Sequence, residues 1–88
     1  MSAALIGGMD RLKRDYITAA KNKGISLKVF TGQERSLKSM LGIPDMMIVC
    51  TDKVSHAARN EVMRYAKANN IPVHMVHSAG VSSVRNCL

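Results

Sequence analysis

Three polar residues that could take part in chemistry follow an apolar run near the middle of the chain. The run is Met46 to Cys50, and Asp52, Ser55 and His56 come shortly after it. A strand that hands over to a helix at this point would place polar side chains at the open edge of a sheet, where α/β proteins bind ligands. We therefore expect this turn, which begins at Thr51, to form part of the functional site of the protein.

Helix-terminus chemistry suggests a role for each of these polar residues. We expect Asp52 to cap the following helix, so that Ser55 and His56 lie in its first turn. Because a cation is disfavoured at a helix N-terminus, His56 should be neutral and able to accept a hydrogen bond, act as a base or bind a metal. Ordinary capping by Asp52 and Ser55, with His56 as a surface residue, is the simpler alternative. Hydrolase chemistry is disfavoured, since a nucleophile elbow is missing from the sequence and adjacent helical side chains diverge.

A glycine pair follows the first apolar run of the chain. Gly7 and Gly8 come after Ala3 to Ile6, and Asp10 lies at the start of the next helix. Backbone N–H groups in such a turn can approach an anion, and the helix dipole favours negative charge there. The pair lacks the Lys of a Walker loop and the third glycine of the dinucleotide fingerprint. A tight β–α connection without a ligand is therefore the alternative.

A third polar turn lies near the end of the chain. Ser78, Ser82 and Ser83 surround Gly80 and offer hydroxyl and N–H groups at another predicted helix start. The alternative is a glycine turn followed by helix capping. Together with the two earlier turns, this segment predicts an anion-accepting site.

Hydrophobic patterns predict the strands and helices that must position these turns. The predicted strands are Ala3 to Ile6, Ser26 to Phe30, Met46 to Cys50 and Ile71 to His77. The predicted helices run from Asp10 to about Lys23, from Gln33 to Leu41, from the Thr51-Asp52 turn to about Ala68, and over Ser82 to Leu88 as a short helix or tail. This order favours a small Rossmann-like three-layer α/β domain with a parallel sheet of order 2-1-3-4 and helices on both faces.

Composition and charge limit the classes of function. The 88 residues suit one domain, 1–88, with a hydrophobic content of 47 % that is typical of globular proteins. A net charge of +7 favours anionic partners. A nucleic-acid surface is the less favoured alternative, because basic residues are spread along the chain and aromatic residues make up 3 % of it.

Cysteine usage and the apolar runs bear on the cellular compartment. Cys50 lies within an apolar run and is expected to be a buried reduced thiol. The first residues lack the charged region of a signal peptide, and no apolar run approaches the length of a membrane span. We therefore expect a cytoplasmic protein that does not contact a membrane.

The motifs in the three turns match a known bacterial family in order and spacing. They are Gly7-Gly8-Met9-Asp10-Arg11, Thr51-Asp52-Lys53-Val54-Ser55-His56 and Ser78-Ala79-Gly80-Val81-Ser82-Ser83. Together they resemble the bacterial domain-of-unknown-function family twenty-three twenty-five over essentially the whole chain. The resemblance implies a small Rossmann-like domain without an assigned activity. It also implies a His near the end of the second strand, where this chain has Thr31.

Our leading hypothesis is a non-catalytic ligand-binding or regulatory domain with an anion-accepting site at the carboxyl edge of the sheet. The predicted site comprises Gly7, Gly8, Asp10, Thr51, Asp52, Ser55, His56, Ser78, Gly80, Ser82 and Ser83. We also expect a homo-oligomer, since the chain is small and Val73 and Met75 would leave apolar surface on an edge strand.

Two alternatives from other classes remain open at this stage. The first is a haem- or metal-binding protein in which His56 is the ligand and basic residues hold the haem propionates. The second is an enzyme that acts on a phosphorylated small molecule, with His56 as the base and Asp52 as its partner.

Overall fold

Short apolar runs form a parallel sheet with neighbours in the order β2-β1-β3-β4. The computed structural model describes residues 1–35 and 37–88. The strands are β1 (Ser2–Ile6), β2 (Ser26–Phe30), β3 (Met46–Cys50) and β4 (Val73–Val76). The predicted strand order and the predicted bounds of β2 and β3 are therefore confirmed.

Helices connect the strands on both faces of the sheet. They are α1 (Lys13–Lys21), α2 (Leu37–Leu41), α3 (His56–Ala68) and α4 (Val81–Arg85). A single 3₁₀ turn, Asp10–Leu12, precedes α1, so the first predicted helix starts later as an α-helix than expected. The second predicted helix is also shorter than expected, and Ser36 within its range lies outside the described residues.

Two apolar clusters define the three layers of the domain. On one face, α1 and α4 cover the sheet through Tyr16, Ala20 and Val84. On the other face, α2 and α3 cover it mainly through Leu41 and Val62. The crossovers on opposite faces place the switch point of the sheet between β1 and β3, as the strand order requires.

The central and outer strands differ in burial. Every residue of β3 is buried, because this strand has a strand on each side and a helix layer on each face. The outer strand β4 is only half-buried or exposed along its length. It is shorter than predicted, with Ile71 and Pro72 lying before it; the Ile71 N–H donates to the Ala66 carbonyl at the end of α3.

None of the helices in the part of the chain that the structure describes combines the length and hydrophobicity needed to span a bilayer.

Candidate functional site

The turns after β1 and β4 meet at the carboxyl edge of the sheet, where the buried side chain of Tyr16 joins them. The phenolic oxygen of Tyr16 accepts a hydrogen bond from the Met9 N–H at 3.2 Å and donates one to the carbonyl of Ala79. Met9 follows the glycine pair and Ala79 precedes Gly80. The predicted convergence of the first and last turns therefore has a direct structural basis.

The glycine pair is packed into the protein, and its N–H groups have protein partners. Gly7 and Gly8 both donate to the Phe30 carbonyl at the end of β2, at 2.9 and 3.1 Å. Gly7 has a φ of +91°, and a Cβ on Gly8 would lie 2.8 Å from the Val29 side chain. These N–H groups therefore already donate within the fold, which is the arrangement expected for the alternative of a tight β–α connection.

The crevice between the turns after β1 and β3 contains the side chain of Val54. A Cβ built on Gly7 would lie 2.6 Å from Val54 Cγ2, and one built on Gly32 would lie 3.4 Å from the same atom. Val54 therefore packs between the turns after β1, β2 and β3. The position at which doubly wound proteins often bind a ligand is occupied by a side chain of the chain itself.

The turn after β3 is tied to the end of β4 by its backbone. Thr51 donates its N–H to the Val76 carbonyl at 2.8 Å, and Asp52 donates to the His77 carbonyl at 3.3 Å. Asp52 is exposed and lies before the start of α3. The prediction that Asp52 caps this helix is wrong, because the N-cap is Ser55.

Ser55 caps α3 through its side chain. Its hydroxyl oxygen accepts a hydrogen bond from the Ala58 N–H at 3.1 Å, and its backbone is extended. This is the geometry that satisfies one of the unpaired donors at a helix start. His56 is consequently the first residue of α3, and the backbone N–H groups of His56 and Ala57 lie in the exposed first turn of the helix.

An arginine that the sequence analysis missed lies against His56. The Arg59 guanidinium approaches Nδ1 of His56, with Nη2 and Nδ1 3.0 Å apart. Since a guanidinium can only donate, Nδ1 acts as the acceptor and the remaining ring proton is on Nε2. Residues three apart on a helix are neighbours, so the spacing of His56 and Arg59 is the signal that could have indicated this pair.

The Arg59 contact bears on the alternative roles of His56. A base or metal ligand needs a free lone pair on the imidazole, and in this arrangement the Nδ1 lone pair accepts from Arg59 while Nε2 carries a proton. The predicted partner of His56 in acid–base chemistry was Asp52, whereas the contact that forms is with Arg59. The arrangement presents N–H donors to the solvent, which suits an anionic group better than a cation.

The serines near the chain end lie around a short helix. Ser78 accepts a hydrogen bond from the Gly80 N–H at 3.1 Å, and Gly80 is the N-cap of α4. Ser82 and Ser83 fall within α4, where the Ser83 carbonyl accepts from the Cys87 thiol at 3.5 Å. These serines shape the turn and the helix that follows it.

The turn after β2 already holds an anion that belongs to the chain. The Glu34 carboxylate accepts from the Thr31 and Gly32 N–H groups, each at 2.9 Å, and from the Thr31 hydroxyl at 3.2 Å. Partial burial acts to raise the pKa of Glu34, but hydrogen bonds from three backbone N–H groups and the hydroxyl outweigh it, so the pKa lies below its ordinary value. Asp10, exposed at the first position of the 3₁₀ turn, lines the same groove as Thr31 and Glu34.

Cys50 is a buried free thiol beneath this edge. Burial raises its pKa to about 11, and the nearby charges of Asp52 and Cys87 act in the same direction. The thiolate that would be needed for nucleophilic chemistry is therefore disfavoured at neutral pH. The predicted burial of Cys50 is confirmed.

Within residues 1–35 and 37–88, no three or more His, Cys, Asp or Glu side chains are grouped so that they could hold a metal ion.

Comparison with known proteins supplies the family. A family model described as "Uncharacterized protein conserved in bacteria (DUF2325)" matches residues 2–88. The chain belongs to this family. The resemblance inferred from the three turn motifs is thereby confirmed, and the match covers the entire sheet and every helix. Searches of curated proteins and of solved structures found no match.

In this member of the DUF2325 family, seven of the predicted site residues fall into two groups, and Asp10, Ser78, Ser82 and Ser83 belong to neither. The first group has its backbone donors engaged within the fold; it comprises Gly7, Gly8, Thr51, Asp52 and Gly80. The second group lies at or near the exposed start of α3 and consists of Ser55 and His56, with Arg59 added by the structure. The start of α3 is therefore the best candidate for a ligand contact at this edge.

Proposed function

We propose that the protein is a non-catalytic ligand-binding or regulatory domain whose ligand carries an anionic group that binds at the start of α3. The observation that carries the proposal is the contact between Arg59 and Nδ1 of His56 at 3.0 Å, beside a helix start capped by Ser55. In this contact Nδ1 is the acceptor, which leaves Nε2–H of the imidazole and the other guanidinium N–H groups as donors for a ligand.

The start of α3 combines three kinds of donor suited to one anion. They are the guanidinium of Arg59, the imidazole Nε2–H of His56, and the first-turn N–H groups of His56 and Ala57, which helix geometry leaves without intrahelical partners. The helix dipole of the 13-residue α3 adds a partial positive charge at this end. A carboxylate or phosphoryl group is the ligand chemistry that these donors fit.

Electrostatics at longer range support the same ligand class. The chain has a net charge of +7, and Lys53 is exposed in the turn that leads into α3. An anionic small molecule would therefore be attracted toward the edge from solution. The nearby Asp52 carboxylate opposes this attraction locally and favours a ligand with a single compact anionic group over one with extended negative charge.

Isothermal titration of the whole chain against a panel of nucleotides and phosphorylated metabolites tests the proposal. We expect at least one member to bind, and Arg59→Ala to weaken that binding by about tenfold or more, because a hydrogen bond to a charged group contributes about 1.5–3 kcal/mol. Arg64→Ala is the matched control, since Arg64 is exposed on the same helix but lies away from the carboxyl edge of the sheet. Absence of binding across the panel, or equal losses in both variants, would contradict the proposal.

A further inference from the structure

Strand β4 forms one outer edge of the sheet and carries few of the features that protect edge strands. Its sequence is Val73-His74-Met75-Val76, which contains no Lys, Arg, Asp or Glu. Natural edge strands are usually protected by charged side chains, by bulges or by a covering element. The opposite edge strand, β2, carries the exposed Lys28 at its centre. The two edges therefore differ in their readiness to pair with another strand.

The hydrogen bonds of β4 reveal which backbone groups face outward. The Pro72 carbonyl accepts from the Met47 N–H at 2.9 Å, and the Val76 carbonyl accepts from the Thr51 N–H at 2.8 Å. In a parallel pair, alternate residues direct both backbone groups toward the same neighbour. Residues 72, 74 and 76 therefore face β3, while Val73 and Met75 direct their N–H and C=O groups away from the sheet.

The same two residues expose apolar side chains on the α3 face. Val73 packs against the apolar cluster of that face, and Met75 shares its side of the strand but is 48 % exposed. A shallow groove of about 600 Å³ lies between α3 and the start of β4, with Met63, Ile71 and Val73 among its lining residues. The edge thus presents an apolar side chain that protrudes and an apolar groove close beside it.

We propose that the partner of this edge is a second copy of the chain, paired antiparallel through β4 so that the two-fold axis passes between the two His74 residues. In this register, Val73 of one protomer lies opposite the partner's Met75, and Met75 lies opposite the partner's Val73. The outward N–H and C=O groups of both residues are then paired, because such residues exchange two hydrogen bonds in an antiparallel ladder. The two four-stranded sheets become one continuous sheet.

The register brings the protruding side chain of each protomer to the groove of the other. Met75 of one protomer would lie on the α3 face opposite Val73 of its partner, at the mouth of the groove that Met63 and Ile71 also line. A two-fold interface requires this reciprocity, in which each contact occurs twice with the roles exchanged. Methionine suits such a contact, since its unbranched side chain fills irregular apolar gaps.

The distribution of charge also fits antiparallel pairing. Arg64 and Lys67 line the groove near the start of β4, whereas Asp52 lies at the far end of β4, where its N–H donates to the His77 carbonyl. Antiparallel pairing places the two basic rims at opposite ends of the interface, and each rim then faces the end of the partner's β4 where Asp52 and Lys53 both lie. The separation of the two rims reduces the repulsion that a basic chain would otherwise meet in self-association.

A pair of matched substitutions at the two edges tests the location of the interface. We expect the full chain to sediment as a dimer at micromolar concentration, and Met75→Lys to raise the dimer dissociation constant about a hundredfold, because the ammonium group would lie beside the partner's Arg64 and Lys67 in the groove. Met40→Lys is the control, since Met40 is 46 % exposed beside the opposite edge. A monomeric wild type, a dimeric Met75→Lys variant or a monomeric Met40→Lys variant would overturn the proposal.

Charge substitutions at His74, where the proposed two-fold axis passes, test the register of the antiparallel strand pair. Two residues at a non-hydrogen-bonded antiparallel position have Cα atoms about 4.5 Å apart, and like charges there are destabilising. We expect His74→Glu and His74→Lys each to sediment as monomers, and their equimolar mixture to form a heterodimer. Recovery in the mixture also shows that both variants are folded.

The outcomes of the axis experiment separate the proposed interface from other occupants of the edge. Dimers of either single variant, or a mixture that stays monomeric, would overturn the two-fold register. If the wild type is monomeric and instead binds an acidic peptide, the occupant is a different class of partner and the proposal fails. Arg59→Ala should dimerise like the wild type, so that this proposal and the one for the α3 site can fail separately.

Discussion

The turn after β1 and the start of α3 lie on the two sides of the switch point, yet they differ in how their backbone donors are used. In the turn after β1, Gly7 and Gly8 donate to the Phe30 carbonyl and Met9 donates to Tyr16. At the start of α3, the Ser55 hydroxyl accepts from the Ala58 N–H, and the earlier N–H groups of the helix have no intrahelical partner. The glycine-rich turn is thus the one whose backbone donors are already engaged.

The difference shows that glycine can mark close packing as well as a ligand site. Each backbone N–H has one proton to donate, and a ligand at the first turn would have to replace a hydrogen bond that is already formed. Leaving a buried backbone group without a partner costs about 1–3 kcal/mol. The first N–H groups of α3 have no intrahelical partner to lose, which makes the start of α3 the better candidate for a ligand contact.

The largest expected effect on stability comes from adding a Cβ atom in the turn after β1. Gly7→Ala should lower the free energy of unfolding by about 3 kcal/mol, since a Cβ in the left-handed region costs about 1–2 kcal/mol and overpacking adds to it. The Cβ would lie 2.9 Å from the Cys50 carbonyl oxygen, which is backbone and cannot move freely. Urea unfolding followed by circular dichroism measures the loss.

Gly24→Ala separates the two causes of that loss. Gly24 has a φ of +74°, and among the described residues other than Gly24 and its two chain neighbours, no heavy atom lies within 4 Å of a Cβ built there. We expect this variant to lose only the backbone contribution, about 1 kcal/mol. Equal losses in the two variants would show that overpacking adds nothing to the cost of Gly7→Ala, so that the turn after β1 is not tightly packed around Gly7.

The second effect comes from removing the bridge between the first and last turns. Tyr16→Phe deletes the hydroxyl that joins Met9 to Ala79, and should cost about 2 kcal/mol because two backbone groups at a buried position lose their partner. Tyr65→Phe is the control, since its hydroxyl donates to the Gly42 carbonyl at an exposed position. Similar thermal midpoints for both variants would contradict the bridging role of Tyr16.

The third effect concerns the N-cap at the start of α3. Ser55→Ala should lower stability by about 1 kcal/mol, the usual cost of losing an N-cap. Ser39→Ala, an exposed change in α2, should leave the unfolding midpoint nearly unchanged. Asp52→Ala should also have little effect on helix stability, because Asp52 lies outside the cap; a loss equal to that of Ser55→Ala would contradict this assignment.

The smallest effect concerns the turn after β2, where Glu34 already acts as an internal anion. Its pKa in the folded chain lies below the ordinary value of 4.5, so its favourable contribution is present above that pH and is lost as the pH falls through the folded pKa. Glu34→Gln should therefore weaken the acid-side pH dependence of the unfolding free energy. An unchanged pH profile would show that the carboxylate contributes little to this turn.

The fold could be predicted because its signals are local and repeated along the chain. The continuous apolar run Met46–Cys50 indicates a strand covered on both faces, and this is where β3 lies, fully buried. The partial alternation of Ser26–Phe30 likewise indicates an outer strand, and β2 lies at one edge of the sheet. Parallel order follows from strands that alternate with helices, so few topologies remain once the elements are known.

The start of α3 shows where the same signals are insufficient. Asp52 and Ser55 are both residues that cap helices, and sequence preference does not choose between them. The choice follows from the tertiary structure, because the Asp52 N–H is drawn to the His77 carbonyl of the neighbouring strand end. The turn therefore continues to Val54 before the helix begins at His56.

The sequence by itself determined the order of strands and helices, the buried central strand and the family, because these depend on periodicity and on short motifs. Only the tertiary structure decided which turn has its backbone donors engaged, because the N–H groups of Gly7 and Gly8 donate to a carbonyl of β2. It also decided that the side chain of Val54, from the turn after β3, fills the crevice. Such contacts join residues far apart in sequence, and no local pattern encodes the distances between them. The candidate site was thereby narrowed from three turns to the start of one helix.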